Sequence, residues 1–267
     1  MKGSRERRKW ELMFDFFKSR RRARLRAQPI PDEWRRTIER NVPIVRRLPS
    51  SDRQELFGHV NVFLAEKHFE GAGGLELTDE IRVTVAAQAC LLLLHRETDY
   101  YPLLTSIIVY PSTYVVSDER PVGGGVWEEG DEPHLGHTQQ NLSALVLAWD
   151  STLHGARAVD DGENLVFHEF AHQLDFESGG ADGTPPLESS RQYASWARVL
   201  GAELDALRRA SEAGSPSVLD EYGAENPAEF FAVATEAFFE RPVELRNRHG
   251  ALYAELRAFY RQDPAAW

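Results

Sequence analysis

Cysteine is almost missing from this chain of 267 residues: Cys90 is the only one. No disulfide can form within the chain, which fits a reducing compartment. Cys90 lies in the apolar run Ala86-Ala87-Gln88-Ala89-Cys90-Leu91-Leu92-Leu93-Leu94, where a thiol is inert packing rather than a nucleophile. Long apolar runs are also missing, and the longest fall well short of the ~20 residues of a membrane-spanning helix. Nor does the start read as a secretion signal, because Leu12-Met13-Phe14 is broken by Asp15 and is too short. The expectation is a cytoplasmic protein. Repeats and low-complexity stretches are absent too. The hydrophobic and charged fractions of 42% and 27% are those of a globular chain with ample core.

Charge is present but unevenly spread. Residues 1–47 hold 16 Lys and Arg against 6 Asp and Glu, a net of +10, so the rest of the chain carries −21 of the total −11. Residues 1–30 read as a basic extension ending at Pro29-Ile30-Pro31, and residues 31–267 as the main domain with a helical N-terminal part. The cluster Lys18-Ser19-Arg20-Arg21-Arg22-Ala23-Arg24-Leu25-Arg26 has the composition that binds nucleic acid or anionic lipid. The plainer account is a solvated basic tail docking on the acidic body. That account is the expectation, with neither nucleic acid nor a membrane as the partner.

Periodicity and punctuation predict helices over Asp32 to Asn41, from Ser51 as N-cap to His68, and from Thr78 through the buried core Val83–Leu94. Gly71-Ala72-Gly73-Gly74 is a turn. Ser106-Ile107-Ile108-Val109-Tyr110 reads as a strand, with Tyr114-Val115-Val116 pairing nearby, a turn at Gly123-Gly124-Gly125, and another strand at Leu142–Trp149. Helices over Glu188–Ala213, Pro227–Phe239 and Leu245–Arg261 complete an α+β fold, mostly helical with a small mixed sheet.

The most specific signal is His168-Glu169-Phe170-Ala171-His172-Gln173-Leu174-Asp175. Side chains four apart on a helix share one face, so His168 and His172 can offer two imidazole nitrogens to one Zn²⁺. Glu169 stands roughly 100° around the helix, near enough to hold a proton but outside the ligand pair. Zinc lowers the pKa of a bound water, and a carboxylate at that position can take the proton during attack on a carbonyl. The surrounding residues are apolar on most faces, and unpaired polar groups in such a buried helix would be costly, which favours a metal. Asp160 or Asp161 with Gly162 punctuates its start, and Gly179-Gly180 lies beyond its end.

Catalytic zinc takes three protein ligands, so the pair needs a partner. Asp175 and Ser178 stand where the metzincin extension requires Gly and His, which leaves an acidic residue from a later helix. In Tyr222-Gly223-Ala224-Glu225-Asn226-Pro227-Ala228-Glu229-Phe230-Phe231-Ala232, the residue best placed is Glu229. It also occupies the N3 position behind Asn226-Pro227, where a glutamate closes a capping box. Glu236 lies seven residues on, within about 20° of Glu229. Either can be the ligand, with the other accepting a hydrogen bond behind it. Asp175 either orients a ligand histidine or caps the end of its helix. His134, His137 and His154 lack helical ligand spacing and read as ordinary histidines. An extended substrate would lie along an edge strand, supplied by Trp127–Thr138 or Ser143–Trp149.

These stretches, with Phe238-Phe239, the segment Phe69-Glu70-Gly71 through Leu75-Glu76-Leu77-Thr78 and the Ala86–Cys90 run, resemble the Mlc titration factor A family of zinc peptidases. The catalytic core of that family is similar to that of anthrax lethal factor. The resemblance covers roughly residues 30–264 and implies a zincin-like domain of gluzincin type. It implies His168, His172 and Glu229 on one zinc per chain, Glu169 as general base, and Tyr222 near the metal. A phenol there can donate to the oxyanion of a tetrahedral intermediate, or it can simply be a core tyrosine. The Glu229-Phe230-Phe231-Ala232 run also looks like the glutamate-containing helix of zinc aminopeptidases. The expected function is hydrolysis of peptides or a partly unfolded protein. The alternative that the resemblance implies is a regulatory binding protein that sequesters a transcriptional repressor, with weak or latent peptidase activity.

Overall fold

Helices form most of the chain, and their starts are where the sequence speaks most directly. The computed structural model describes the backbone of residues 16–112, 114–122, 126–134, 136–137 and 143–267, and the side chains of residues 16–112 and 143–267. The first fifteen residues and the Gly123–Gly125 turn lie outside the described residues, as do the side chains of His134 and His137. Helix α1 covers residues 16–26. Then follow α2 (Asp32–Asn41), α3 (Ser50–Glu66), α4 (Asp79–Leu91), α5 (Trp149–Arg157), α6 (Leu165–Phe176), α7 (Ser190–Glu212), α8 (Pro227–Glu240), α9 (Pro242–Arg248) and α10 (Gly250–Tyr260). Side chains of Thr78, Asn164, Ser189 and Asn226 cap α4, α6, α7 and α8 by accepting backbone N–H bonds.

The strands are β1 (His68–Gly71), β2 (Ser106–Tyr110), β3 (Tyr114–Val122), β4 (Val126–His134), β5 (Gly136–His137) and β6 (Ala144–Ala148). One sheet has the order β1-β2-β6-β5, with the first three parallel and β5 antiparallel to β6. Strands β3 and β4 form a separate antiparallel ribbon. A mostly helical α+β fold with a small mixed sheet is therefore what the chain adopts.

Several expectations are corrected. Strand β1 was read as the end of a helix and a turn; its four residues carry no β-branched signal, and parallel pairing with β2 supplies what they lack. Helix α5 follows β6 without a break, and its N-cap Ala148 makes no side-chain bond, so no start signal marks it. The helix expected over Leu245–Arg261 is two, α9 and α10, broken at His249. Strand β6 pairs with β2 along its length and with β5 at Val146 and Leu147, so at those two residues both of its sides are taken.

Helix α8 sits deepest. Phe230, Phe231, Ala232, Val233, Ala234, Ala237, Phe238 and Phe239 are all buried, so apolar contacts surround it. Trp196 and Phe259 pack edge-on against Phe231, and Tyr260 lies against Phe238 and Phe239. On the other side of α6, Phe170 joins Phe63 and Tyr101. The metal-motif helix is thus wedged between two aromatic clusters. A wedge of this kind fixes its rotation.

The basic segment docks as an ionic seam. Arg22 bonds to both oxygens of Glu66 on α3 and to Asp99, and Lys18 also reaches Asp99 at 2.6 Å. Next to this seam, Lys67 donates to Tyr101 O and Leu104 O, and burial lowers its pKa to about 8. Glu177, the C-cap residue of α6, is half-buried near Arg96. Burial pushes its carboxyl up to about 7, against the pull of Arg96, and a charge there opposes the helix dipole.

A carboxyl raised above its ordinary value of 4.5 keeps its proton in the folded state while the unfolded chain releases it. The stability that Glu177 contributes therefore falls as pH rises from about 4.5 to about 7. Glu177→Gln is expected to leave unfolding nearly unchanged near the acid end of that window and to raise the melting temperature above it. Thermal melts at both ends check this, and an equal effect at the two would contradict it.

Candidate metal centre

The site forms where α6 crosses α8, and each helix brings its polar residues to the crossing. Pro227 at the first position of α8 places Glu229 in its first turn. Asn226 Oδ1 accepts from the backbone N–H of both Ala228 and Glu229, each at 3.0 Å. The cap is thereby satisfied by asparagine. The Glu229 side chain does not turn back to close a capping box; it reaches across to α6.

There it meets both motif histidines. Glu229 Oε2 lies 3.0 Å from His168 Nε2 and 3.3 Å from His172 Nε2, and the two Nε2 atoms are 3.2 Å apart. These three donors form a triangle that one metal ion can share. Tetrahedral zinc with bonds of about 2.0–2.2 Å requires ligand–ligand separations of roughly 3.3–3.5 Å. The observed edges come close to that. The side chains of His168, His172 and Glu229 are 15%, 10% and 5% exposed, so the triangle is largely shielded from solvent.

Electrostatics point the same way. Burial alone would lower the His168 pKa, but bonds to Glu229 and Glu236 drive it well above its ordinary value. Burial would also raise Glu229, yet the two histidines hold it down at about 2. The crossing therefore calls for positive charge.

Glu236 backs the site. Its Oε1 is 2.8 Å from His168 Nδ1, on the far side of the ring from Glu229. Its other oxygen accepts the backbone N–H of Asn164. Of the two carboxylates that the sequence left open, Glu229 faces both histidines and Glu236 orients one of them. Asn164 and Glu240 were missed. The start of α6 was expected at Asp160 or Asp161, but the N-cap is Asn164, whose Oδ1 accepts from Phe167 N at 3.0 Å. Its amide donates to Gly155 O and to Glu240 Oε1. Glu240, four residues beyond Glu236, is buried and also accepts from Gly162 N. Burial, reinforced by Glu236 and Asp161, holds its carboxyl up at about 9, so it is neutral at pH 7. An Asn directly before an apolar run was the signal for the cap; the nearer Asp-Asp-Gly obscured it.

Glu169 is buried at 5% exposure, and its charge acts on His168. Tyr222, at 48% exposure, lies on a short 3-10 turn (Glu221–Ala224) opened by Asp220, and its ring centroid is 5.9 Å from that of His168. Both expected catalytic residues therefore adjoin the triangle. Asp175 does not orient a histidine by a bond. It accepts the backbone N–H groups of Gly183 and Thr184 at 2.7 and 2.8 Å and ties down the loop after α6. Gly183 O in turn accepts from Trp196 Nε1, and a Cβ at Gly183 would lie 2.2 Å from Pro227 O. The loop thus abuts the first turn of α8, the turn that carries Glu229.

The model of the family described as "Glucose-regulated metallo-peptidase M90" matches residues 16–261. An uncharacterized protein of Synechocystis sp. is 38% identical over 244 residues, 91% of this chain and 89% of that protein. Mlc titration factor A of Yersinia enterocolitica is 29% identical, and that of Yersinia pestis 30%, each over 88% of this chain and 86% of theirs.

Asn164 joins the cap of α6 to two buried carboxyl groups, so its loss should exceed that of an ordinary cap. Asn164→Ala is expected to cost about 2–4 kcal/mol in urea unfolding, a cap plus a bond to a buried carboxyl group. Asn164→Asp keeps the cap but sets a third acid against Glu236 and Glu240, and should also destabilise. If Asn164→Asp behaves as wild type, the link through Glu240 carries no weight.

Proposed function

We propose that this chain, which belongs to the glucose-regulated metallo-peptidase M90 family, is a zinc-dependent peptidase of the zincin-like, gluzincin type. The observation that supports this best is the donor triangle of His168, His172 and Glu229, with Glu169 beside it. In this reading residues 31–267 are the catalytic domain and residues 1–30 a basic extension, of which α1 rests on the domain. The substrate is a peptide or a partly unfolded protein in the cytoplasm.

His168, His172 and Glu229 would hold one zinc ion per chain, which supplies a Lewis acid and acidifies water at neutral pH. The residues around it divide the remaining work. Glu169, about 100° around α6 from His168, is not one of the three triangle donors, and its carboxylate acts as the base. It takes a proton from the attacking water and returns it to the leaving amine. Tyr222, on the exposed side of His168, donates to the carbonyl oxygen as negative charge gathers there. Glu236 fixes the His168 ring through Nδ1, leaving Nε2 directed at the triangle.

A second reading has a specific observation behind it: the Yersinia relatives are named Mlc titration factor A. This chain could accordingly act by binding a transcriptional repressor, with peptidase activity weak or latent. Binding alone has no need of a buried base, so the placement of Glu169 favours the enzyme.

Purified protein is expected to carry about one zinc per chain, as a three-ligand site implies. Glu229→Gln should lose the metal while keeping its fold, since Asn226 caps α8 without it. Glu236→Gln should weaken zinc binding by about 10–100-fold. Glu169→Gln should keep zinc and lose peptide cleavage by about 10²–10⁴-fold. Metal analysis and cleavage of a peptide library read all three. Undiminished cleavage by the zinc-loaded Glu169→Gln protein would sink the enzyme reading.

A further inference from the structure

Lys18, Arg22 and Arg26 stand four residues apart, so α1 sets three cations along one face. Like charges at this spacing repel. They line a crease of about 350 Å³, closed on the opposite side by Thr98, Asp99 and Tyr100 of the loop after α4. Asp99 is the one carboxylate in the lining and Glu66 neutralises Arg22 from behind, so three positive side chains meet two negative ones, a net of +1. Arg22 is occupied, held by Glu66 and Asp99. Lys18 bonds to Asp99 among the described residues, through one of its three N–H donors. Arg26 lies near the Tyr100 hydroxyl, whose pKa burial raises and the positive charge of Arg26 lowers. That hydroxyl is fixed from behind by His59 Nδ1 at 2.7 Å. The loop is itself strained, for Tyr100 and Tyr101 both hold left-handed φ angles, 57° and 55°. Strain of this kind gathers at ligand clamps.

We propose that this crease is a binding site for a phosphate-bearing anion. A phosphate monoester carries about −1.5 to −2 charge at neutral pH, so the excess positive charge of the lining attracts it, the more so once Asp99 is displaced. The Ser19 and Thr98 side chains add hydroxyl groups suited to phosphate oxygens. The crease lies at the small end of the ~300–1,000 Å³ range of ligand sites, large enough for a phosphate with a small polar body. Asp99 is the internal counter-ion that the ligand displaces. The phosphate arrives either free in solution or as a lipid headgroup. In the second case Phe16 and Phe17, 55% and 61% exposed just before Lys18, would enter the acyl boundary. The crease shares no residue with the metal centre.

The full chain should melt at a higher temperature in sodium phosphate than in sodium chloride of equal ionic strength. Lys18→Gln with Arg26→Gln should weaken phosphate binding by roughly tenfold or more, the worth of a charge-assisted hydrogen bond. Both side chains lie toward the surface, so the fold should survive. Asp99→Asn should act oppositely and tighten binding by removing the competing carboxylate. Co-sedimentation with phosphatidylcholine vesicles, with and without phosphatidic acid, separates the two sources. Binding to the phosphatidic acid vesicles alone assigns a headgroup, and a response to free phosphate alone assigns a soluble ligand. Equal melting in the two salts with no vesicle binding would overturn the site, and so would a response that survives the double substitution. If Asp99→Asn abolishes the response as fully as the double variant does, the response reports the docking of α1, and the site is overturned.

Discussion

The structure depends on one polar seam inside an apolar body, the crossing of α6 and α8. Helix α8 is buried all round, yet it carries Glu229, Glu236 and Glu240 along one stripe. Buried carboxyl groups without partners would cost several kcal/mol each. Each has its own solution: Glu229 takes two imidazoles, Glu236 an imidazole and a backbone N–H, and Glu240 an amide, a backbone N–H and its own proton. All of these partners lie on α6 or on the segment that leads into it. The aromatic clusters fix where the helices sit, and the seam fixes their register. A slide of one turn would strand three acids at once.

Much of this was legible in the sequence because it follows from helical spacing. His168 and His172 share a face at any position in space, and so do Glu229 and Glu236. The ambiguity between cap and ligand at Glu229 was not resolvable locally, since both roles need a carboxylate in the first turn of a helix. What decides it is that Asn226 caps two N–H groups unaided, which leaves Glu229 free to leave its own helix. That is a tertiary fact. Asn164 shows the reverse case: its local signal was present but competed with Asp160-Asp161-Gly162 four residues upstream. The strand β1 and the helix α5 carried no local signal at all, because pairing with β2 and the absence of a side-chain cap are invisible along the chain.

The basic segment divides differently. Its charge pattern suggested docking on the acidic body, and Arg22 does so with Glu66 and Asp99. Arg21 also reaches Glu66 and Ala65 O, an engagement that composition alone did not reveal. Lys18, Arg22 and Arg26 line the crease, with Arg22 buried among them, while Phe16, Phe17, Arg20 and Arg24 are exposed. A helix held by its charged side chains, with Leu25 alone of its described apolar residues packed on the core, is sensitive to whatever competes for those charges.

The seam also explains why residues far from the triangle bear on it. Asp175 fixes Gly183, Gly183 receives the Trp196 indole, and the missing Cβ lets the loop press on Pro227 O. Pro227 begins the turn that aims Glu229. At the other end of α6, Asn164 holds Glu236, which holds His168. The two ends of the motif helix thus act on different donors: its C-terminal side positions the carboxylate, and its N-terminal side positions the imidazole. Donors about 3 Å apart, drawn from two helices, stay together only if both constraints hold, because two carboxylates around one imidazole attract it from opposite sides. The asymmetry between the partners of His168 follows from this. Glu229 approaches Nε2 from a turn whose cap is already satisfied, so it can give its oxygen to a shared cation. Glu236 is committed at both oxygens, so it can only orient.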